Sequence, residues 1–325
     1  MRSLKMRRAV VLLAALATLA VPVTLTAAAN GHTSEQLMLP DLRQAPVGCP
    51  GGYAGDPSRC ADWDVCLTRD DQDRSPAGPD CVDSGSIKTA RLRFTTSEEN
   101  VGDGPALLYG HRDGTDQVTM SVRQAFQVGE HGPIPDSYAT AQRGVDQAMY
   151  YDAVHEHWHL LHFAQMELKT LTGETVVKDR KNGFCLGDRY TTADAGGLFH
   201  NVRQDRSPEG RLAEQLGSNQ YCKYRDSLAT DVKEGISVGR GDNYSYNIAF
   251  QWLDVTHVPS GTYIVVNTVN SGHTLLETNY NNNSSSIVIL LQWPGGAHDP
   301  PAVITAPPVV KLIKSCPGSE QCAVD

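Results

Sequence analysis

Four of the chain's eleven histidines fall within eight residues, in the stretch Tyr150-Tyr-Asp-Ala-Val-His155-Glu-His157-Trp158-His159-Leu-Leu-His162-Phe163. In an extended segment alternate residues share a face, so His155, His157 and His159 would point the same way. Three neutral imidazoles meeting at one point make a borderline-soft nitrogen site of the kind Cu(II) or Zn(II) prefers. A straight strand would hold the outer two Cα atoms roughly 13 Å apart. That is near the limit for imidazoles sharing one ion through bonds of about 2 Å, so the segment is expected to bend or bulge. The plain alternative is a histidine-rich strand on a wet sheet face. His162 is open to three readings: a fourth ligand, a partner that holds a ligand's tautomer, or a solvent-facing residue. Tyr150, Tyr151 and the interleaved Trp158 read as core packing on the opposite face.

The elements that must carry these residues are short strands. Thr89–Phe94, Ala106–Tyr109, Val118–Val122, Phe163–Leu168, Ile248–Leu253, Gly261–Asn267 and Ser286–Trp293 are alternating, β-branched or aromatic. Thr175–Val177 begins a further strand after the turn Thr172-Gly-Glu174. Residues 191–231 are polar and glycine-punctuated, an excursion with one short helix expected over Pro208–Gln215. Repeated strands and turns without alternating helices predict a mainly β protein: an antiparallel β-sandwich with long irregular loops and little helix.

At 325 residues the chain has room for one large domain or two small ones. Residues 1–29 read as a secretory signal peptide, with Arg2, Lys5, Arg7 and Arg8 ahead of an apolar run and Ala27-Ala28-Ala29 as the cleavage site. The apolar run is too short for a membrane span. Removing its four basic residues takes the formal charge from −9 to −13. An acidic, secreted, extracellular protein disfavours nucleic acid and membrane partners and attracts cations. Eight cysteines in an exported chain predict disulfides rather than a zinc–thiolate site, since none forms a C-x-x-C pair. Cys49, Cys60, Cys66 and Cys81 would make two bridges, of undetermined pairing, in a Gly-, Pro- and Asp-rich loop. The domains expected are a segment over 30–88 (39–45 joining the next), a catalytic domain over 89–293 and a Pro-rich tail over 294–325. The tail is expected to be extended, pinned at most through Cys316 and Cys322.

Four ordered stretches carry a resemblance. His155-Glu-His157-Trp-His159 with Phe163-Ala-Gln-Met-Glu-Leu168 resembles the copper segment of the lysyl oxidase family, in a secreted microbial form. Asp179-Arg-Lys181-Asn-Gly-Phe-Cys185-Leu-Gly-Asp188 resembles the segment of its cofactor lysine. Gly241-Asp-Asn-Tyr244-Ser-Tyr246-Asn-Ile-Ala-Phe-Gln251-Trp252 resembles that of its cofactor tyrosine. Leu276-Glu277-Thr-Asn279-Tyr-Asn-Asn282-Asn283 resembles the acidic, Asn-rich turn near its end. The resemblance spans roughly Leu39 to Trp293. It implies a protein-lysine 6-oxidase or primary-amine oxidase that uses Cu(II), O2 and a lysine tyrosylquinone. Such an enzyme turns primary amines, or lysine side chains of extracellular proteins, into aldehyde, ammonia and H2O2.

Carried over by position, the resemblance implies copper on His155, His157 and His159 and a quinone built from Lys181 and Tyr244. Tyr246, two residues on, competes with Tyr244 for that role. Asp188 is offered as the base, against a plain surface pair with Arg189. A Ca(II) site is implied at Asp41, the Leu42 carbonyl, Glu277, Asn279, Asn282 and Asn283, where Asn279 replaces an expected aspartate. Val154 and Phe250 stand where animal members often carry cysteines, which leaves Cys185 and Cys222 as the expected pair near the site. The competing class is a non-enzymatic copper-binding or adhesive β-sandwich, which would need neither Lys181 nor Tyr244. Gly235-Ile-Ser237-Val-Gly239 mimics a nucleophile elbow but lacks its strand-to-helix setting. Arg240-Gly-Asp242 spells an integrin tripeptide, and Asn282 and Asn283 begin N-x-S sequons.

Overall fold

The computed structural model describes residues 36–70, 78, 80–198, 206–218 and 222–324; the expected leader lies outside them. The described chain is mainly β, with one α-helix, Pro208–Ser218, close to the expected position. Among these residues no helix is long and apolar enough to cross a membrane.

Four antiparallel sheets do most of the work. A six-stranded sheet runs in the order Gly183–Phe184, His157–Leu161, Arg143–Asp152, Thr119–Ala125, Ala106–His111, Asp231–Ile236. A five-stranded sheet runs Thr175–Lys178, Ala164–Thr170, Gly261–Val269, Ser284–Gln292, Val309–Cys316. A four-stranded sheet orders Tyr190–Thr191, Arg240–Tyr244, Thr96–Asn100 and Leu42–Gln44, and a three-stranded one Trp252–Asp254, Thr89–Phe94 and Trp63–Thr68. Two cores hold these layers. Leu92 and Phe94 of the three-stranded sheet meet Met166, Leu168, Val265, Ile287 and Ile289 of the five-stranded one, sheet against sheet. Met120, Met149, Trp158 and Leu160 of the six-stranded sheet pack with Leu42, Phe163, Phe184 and Tyr244 in the other.

Several expectations are corrected by packing. Thr89–Phe94 alternates in sequence yet is buried on both faces. Arg91 is covered with its guanidinium 4.1 Å over the Trp252 ring, and Arg93 pairs with Asp64. A cation laid on an indole can be covered at modest cost, so alternation here does not mean one wet face. Of the strand expected over Ile248–Leu253, only Trp252–Asp254 forms, because Phe250 sits at φ +60° and turns the chain. The tail is more than extended chain on one bridge: Val309–Cys316 pairs along Ser286–Gln292 as the edge of the five-stranded sheet. Thr96–Asn100 (Thr-Ser-Glu-Glu-Asn) has too little apolar character to signal a strand, yet all five residues are buried.

The disulfides are Cys49–Cys60, Cys66–Cys81, Cys185–Cys222 and Cys316–Cys322. Ser237 lies between two strands, Asp231–Ile236 and Arg240–Tyr244, with no helix following, which excludes a nucleophile elbow. Asp242 of the Arg-Gly-Asp triplet is buried in its strand, out of an integrin's reach.

Candidate functional site

The histidines come together because the chain turns among them. Arg143–Asp152 and His157–Leu161 form a hairpin in which Tyr150 faces His159 and Asp152 faces His157. Residues 153–156 form the turn, and Glu156 adopts φ +57°. His155 therefore belongs to the turn, and the bend that the spacing demanded is there. The three rings lie with centroids 4.5, 5.1 and 5.6 Å apart, and the Nε2 atoms of His157 and His159 approach to 2.7 Å. Asp152 Oδ2 is 2.9 Å from His155 Nδ1 and 3.5 Å from His159 Nδ1. Its Oδ1 accepts the Val154 N–H. The donor atoms of Asp152, His155 and His159 lie within 4.8 Å of one another.

Burial, reinforced by the His155 imidazole, pushes His157 down to about 4, and burial beside His157 and Lys181 pushes His159 well below the usual histidine range. Burial opposes ionisation of Asp152, but the hydrogen bond and charge of His155 hold its carboxyl well below the carboxylate range. His157 and His159 thus offer neutral imidazole nitrogens beside an anionic oxygen, donors that suit Cu(II).

Tyr150 is corrected. It lies on the histidine side, with its hydroxyl 3.4 Å from His159 Nδ1 and 3.4 Å from Asp152 Oδ2. Trp158 is fully buried on the opposite face with Tyr151 edge-on to it, as expected. His162 is exposed and contributes its backbone, donating its N–H to the Asn182 carbonyl at 2.8 Å.

That bond begins the link to the second group. Gly183 pairs with Leu161, and a Cβ there would lie 2.6 Å from His159 Nδ1 and 2.9 Å from the Tyr150 hydroxyl, so only glycine fits. Cys185 is bridged to Cys222, whose carbonyl accepts the Trp158 N–H at 3.0 Å. The segment carrying Lys181 is thereby fixed against the histidine strand. Lys181 is 6% exposed, and its Nζ lies 4.7 Å from the centroid of the Tyr244 ring and 5.0 Å from that of Phe184. Burial pulls Lys181 down to about 8. The Tyr244 hydroxyl donates to Asp242 Oδ2 at 2.9 Å, with the Cys185 carbonyl 3.2 Å away. Burial and the Asp242 charge raise its phenol well above the usual tyrosine range. Tyr246 instead turns its ring to Arg93, 5.2 Å away.

His155, His157, His159, Lys181, Arg189 and Tyr244 line one cavity of about 460 Å³. Asp188 does not line it. Its Oδ1 accepts the Ser237 N–H at 2.8 Å, and Arg189 makes its ion pair with Asp242, at 3.4 Å. Asp188 is thus directed at the Ser237 backbone, with Arg240 and Arg189 as its nearby cations. Asp152 and Asp242 are the residues that sequence reasoning missed. Their signals were legible, an acid three residues before His155 and one two residues before Tyr244 on the same strand face.

A separate oxygen cluster joins the two ends of the described chain. Asn282 Nδ2 donates to Asp41 Oδ1, and Asn283 Nδ2 and Asn270 Nδ2 both donate to Glu277 Oε1. Leu42 is engaged through its N–H, which Glu277 Oε2 accepts at 2.7 Å. Asn279 stays outside this set, accepting the Asn281 N–H in its own turn. Burial raises both Asp41 and Glu277. The side-chain oxygens of Asn282 and Asn283 are buried without hydrogen-bond partners.

Comparison with known proteins bears on the whole. The lysyl oxidase family model matches residues 213–293, which take in Tyr244 and the Glu277–Asn283 turn. Lysyl oxidase homolog 2A of Danio rerio is 30% identical over 127 residues, 39% of this chain and 14% of that protein. Lysyl oxidase homolog 2 of Gallus gallus is 29% identical over 128 residues (39% and 13%), and that of Rattus norvegicus 25% over 185 residues (57% and 20%). The aligned stretch is thus at most 20% of the length of these relatives. The family match over residues 213–293 and these relatives together make the chain similar to the lysyl oxidase family.

Proposed function

We propose that the protein is a secreted copper amine oxidase that builds a lysine tyrosylquinone from Lys181 and Tyr244 and oxidises primary amines, lysine side chains of extracellular proteins among them. The observation that carries this reading is the Lys181 Nζ, 4.7 Å from the Tyr244 ring centroid in a cavity shared with three imidazoles. A passive copper binder has no use for that juxtaposition. In this reading His155, His157 and His159 hold Cu(II). With O2 as final acceptor, the metal and quinone supply the two-electron sink that side chains lack, and aldehyde, ammonia and H2O2 leave.

The chain's own residues do the rest. Asp152 holds the tautomer of His155 through Nδ1. Asp242 takes the Tyr244 hydroxyl hydrogen bond and so fixes the ring beneath the Lys181 amine. Desolvation gives Lys181 an appreciable neutral fraction near neutral pH, which its nitrogen needs in order to act as a nucleophile. The oxygen cluster of Asp41, Glu277, Asn282 and Asn283 is proposed to bind Ca(II), a cation that takes six or more hard oxygens.

The test is peptide mapping by mass spectrometry of copper-loaded, aerated protein, with a phenylhydrazine colour assay and H2O2 release from a primary amine. A single cross-linked peptide containing Lys181 and Tyr244 is expected, absent from Lys181→Arg and Tyr244→Phe. Separate unmodified peptides in a preparation that still releases H2O2 refute the mechanism. Inert protein with unlinked peptides establishes the passive copper binder instead.

A further inference from the structure

Glu156 sits at the tip of the histidine hairpin and lines the cavity that Lys181 and Tyr244 share. Among the described residues lining that cavity it is the sole carboxylate. Its backbone adopts φ +57°, and that of Arg225, which faces it, φ +58°. Such conformations are uncommon outside glycine and call for a reason. Three hydrogen bonds supply one. The Arg225 N–H donates to the Glu156 carbonyl at 2.6 Å, Arg225 Nε donates to Glu156 Oε2 at 3.0 Å, and the Tyr224 hydroxyl donates to the same oxygen at 3.1 Å. The Arg225 guanidinium also lies 4.9 Å from the centroid of the Tyr224 ring.

Tyr224 lines the same cavity. It follows Cys222, whose bridge to Cys185 ties it to the segment that carries Lys181. Glu156 and Tyr224 are both exposed, so a carboxylate and an aromatic ring stand together where the cavity meets solvent. Those two groups recognise a guanidinium, one by ion pairing and the other by stacking. Their occupant is the chain's own Arg225, whose side chain is 67% exposed. An ion pair so open to water contributes little to stability. An incoming cation of the same shape can therefore exchange with it at small cost.

We propose that Glu156 and Tyr224 form a subsite for a second cationic group of the substrate, a guanidinium of the arginine type, which takes the place that Arg225 holds in this structure. The preferred substrate is then a lysine side chain with an arginine close to it in the same peptide. The reacting amine goes to the Tyr244 end of the cavity, so the inference rests on the amine-oxidase reading above. No bond is made or broken at the subsite, and its effect falls on KM.

The experiment compares peptides, acetylated and amidated at their ends, that carry either arginine or citrulline, its neutral isostere, beside the target position. In the first arm that position holds norleucine, which cannot be oxidised, and binding to metal-free full-length protein is followed by NMR titration. The arginine peptide should bind the wild type about fivefold more tightly than the citrulline peptide. That preference should vanish in Glu156→Gln and in Tyr224→Leu. Arg225→Gly removes the occupant while suiting the positive φ, and should strengthen binding of the arginine peptide alone. In the second arm the position holds lysine, and H2O2 release is measured with copper-loaded, aerated protein. The ratio of kcat/KM for the two peptides should follow the binding ratio, through KM, and it cancels any loss of copper common to both. Equal affinities in the wild type, a result that needs no variant to fold, overturn the proposal, as does a preference that survives both Glu156→Gln and Tyr224→Leu. Arginine-dependent binding with no H2O2 from any peptide supports the subsite and overturns the amine-oxidase reading instead. H2O2 from both lysine peptides at equal kcat/KM overturns the subsite alone.

Discussion

His155, His157 and His159 meet because the chain reverses at residues 153–156, which swings His155 out of the strand and over its neighbours. Each imidazole should then be a separate copper ligand. Replacing any one of them with alanine is expected to remove nitrogen hyperfine structure from the Cu(II) EPR spectrum and to weaken binding at least tenfold. Three unchanged spectra would rule the ligand set out. Lys181 makes a prediction without metal. Its folded pKa, about 8, lies below the unfolded value near 10.5. Between those values the unfolded chain binds more protons than the folded one, so stability rises with pH across that window and is lost below it. Lys181→Met should accordingly stabilise the metal-free protein at pH 7, by on the order of 3 kcal/mol at most, with the gain shrinking toward pH 10.5. Urea unfolding at several pH values checks this, and a difference independent of pH would contradict it.

At the scale of elements, the histidine hairpin and the Lys181 segment work as one unit, tied by the Gly183–Leu161 pairing, the His162–Asn182 bond and the Cys185–Cys222 bridge. Gly183 is the tightest joint, since a methyl there must displace the His159 ring or the Tyr150 hydroxyl. Gly183→Ala is expected to destabilise the protein by about 1–3 kcal/mol, as overpacking does, and to weaken Cu(II) binding at least tenfold. Calorimetric titration read beside thermal unfolding separates the two effects. Unchanged affinity would mean that the hairpin positions its imidazoles alone. The strands Thr89–Phe94 and Gly261–Val269 were legible from composition because their β-branched and aromatic residues fill cores. Thr96–Asn100 was not. Its Glu98 and Glu99 are buried beside Lys181 and Arg43, partners far away in sequence.

At the scale of the whole molecule, the cluster of Asp41, Glu277, Asn282 and Asn283 closes a span of 241 residues between Asp41 and its partner Asn282. If it binds Ca(II), the ion cross-links the beginning and end of the described fold and stabilises it by mass action. Adding millimolar Ca(II) to EDTA-treated protein, with the copper state held constant, should raise the melting temperature by several degrees. Asn282→Ala should abolish most of that rise. A melting temperature indifferent to Ca(II) would show the cluster to be a hydrogen-bonded turn and nothing more. The edge strand Val309–Cys316 adds to the same closure, lying along Ser286–Gln292.

The amino-acid sequence alone determined the strand-rich character and the histidine spacing with its need for a bend, whereas the pairing of Cys185 with Cys222 was implied only by the resemblance and is given by the structure. The first two depend on local pattern: side-chain period and the reach of an imidazole. Only the tertiary structure decided that Tyr150 faces the histidines, that Asp188 turns away to Ser237, and that Glu98 and Asp242 stand by Lys181 and Tyr244. The reason is electrostatic as much as geometric. Whether a carboxyl serves as an ion-pair partner, a hydrogen-bond acceptor or a proton store depends on how far it is desolvated and which charge lies opposite, and strand register between residues far apart in the chain fixes both.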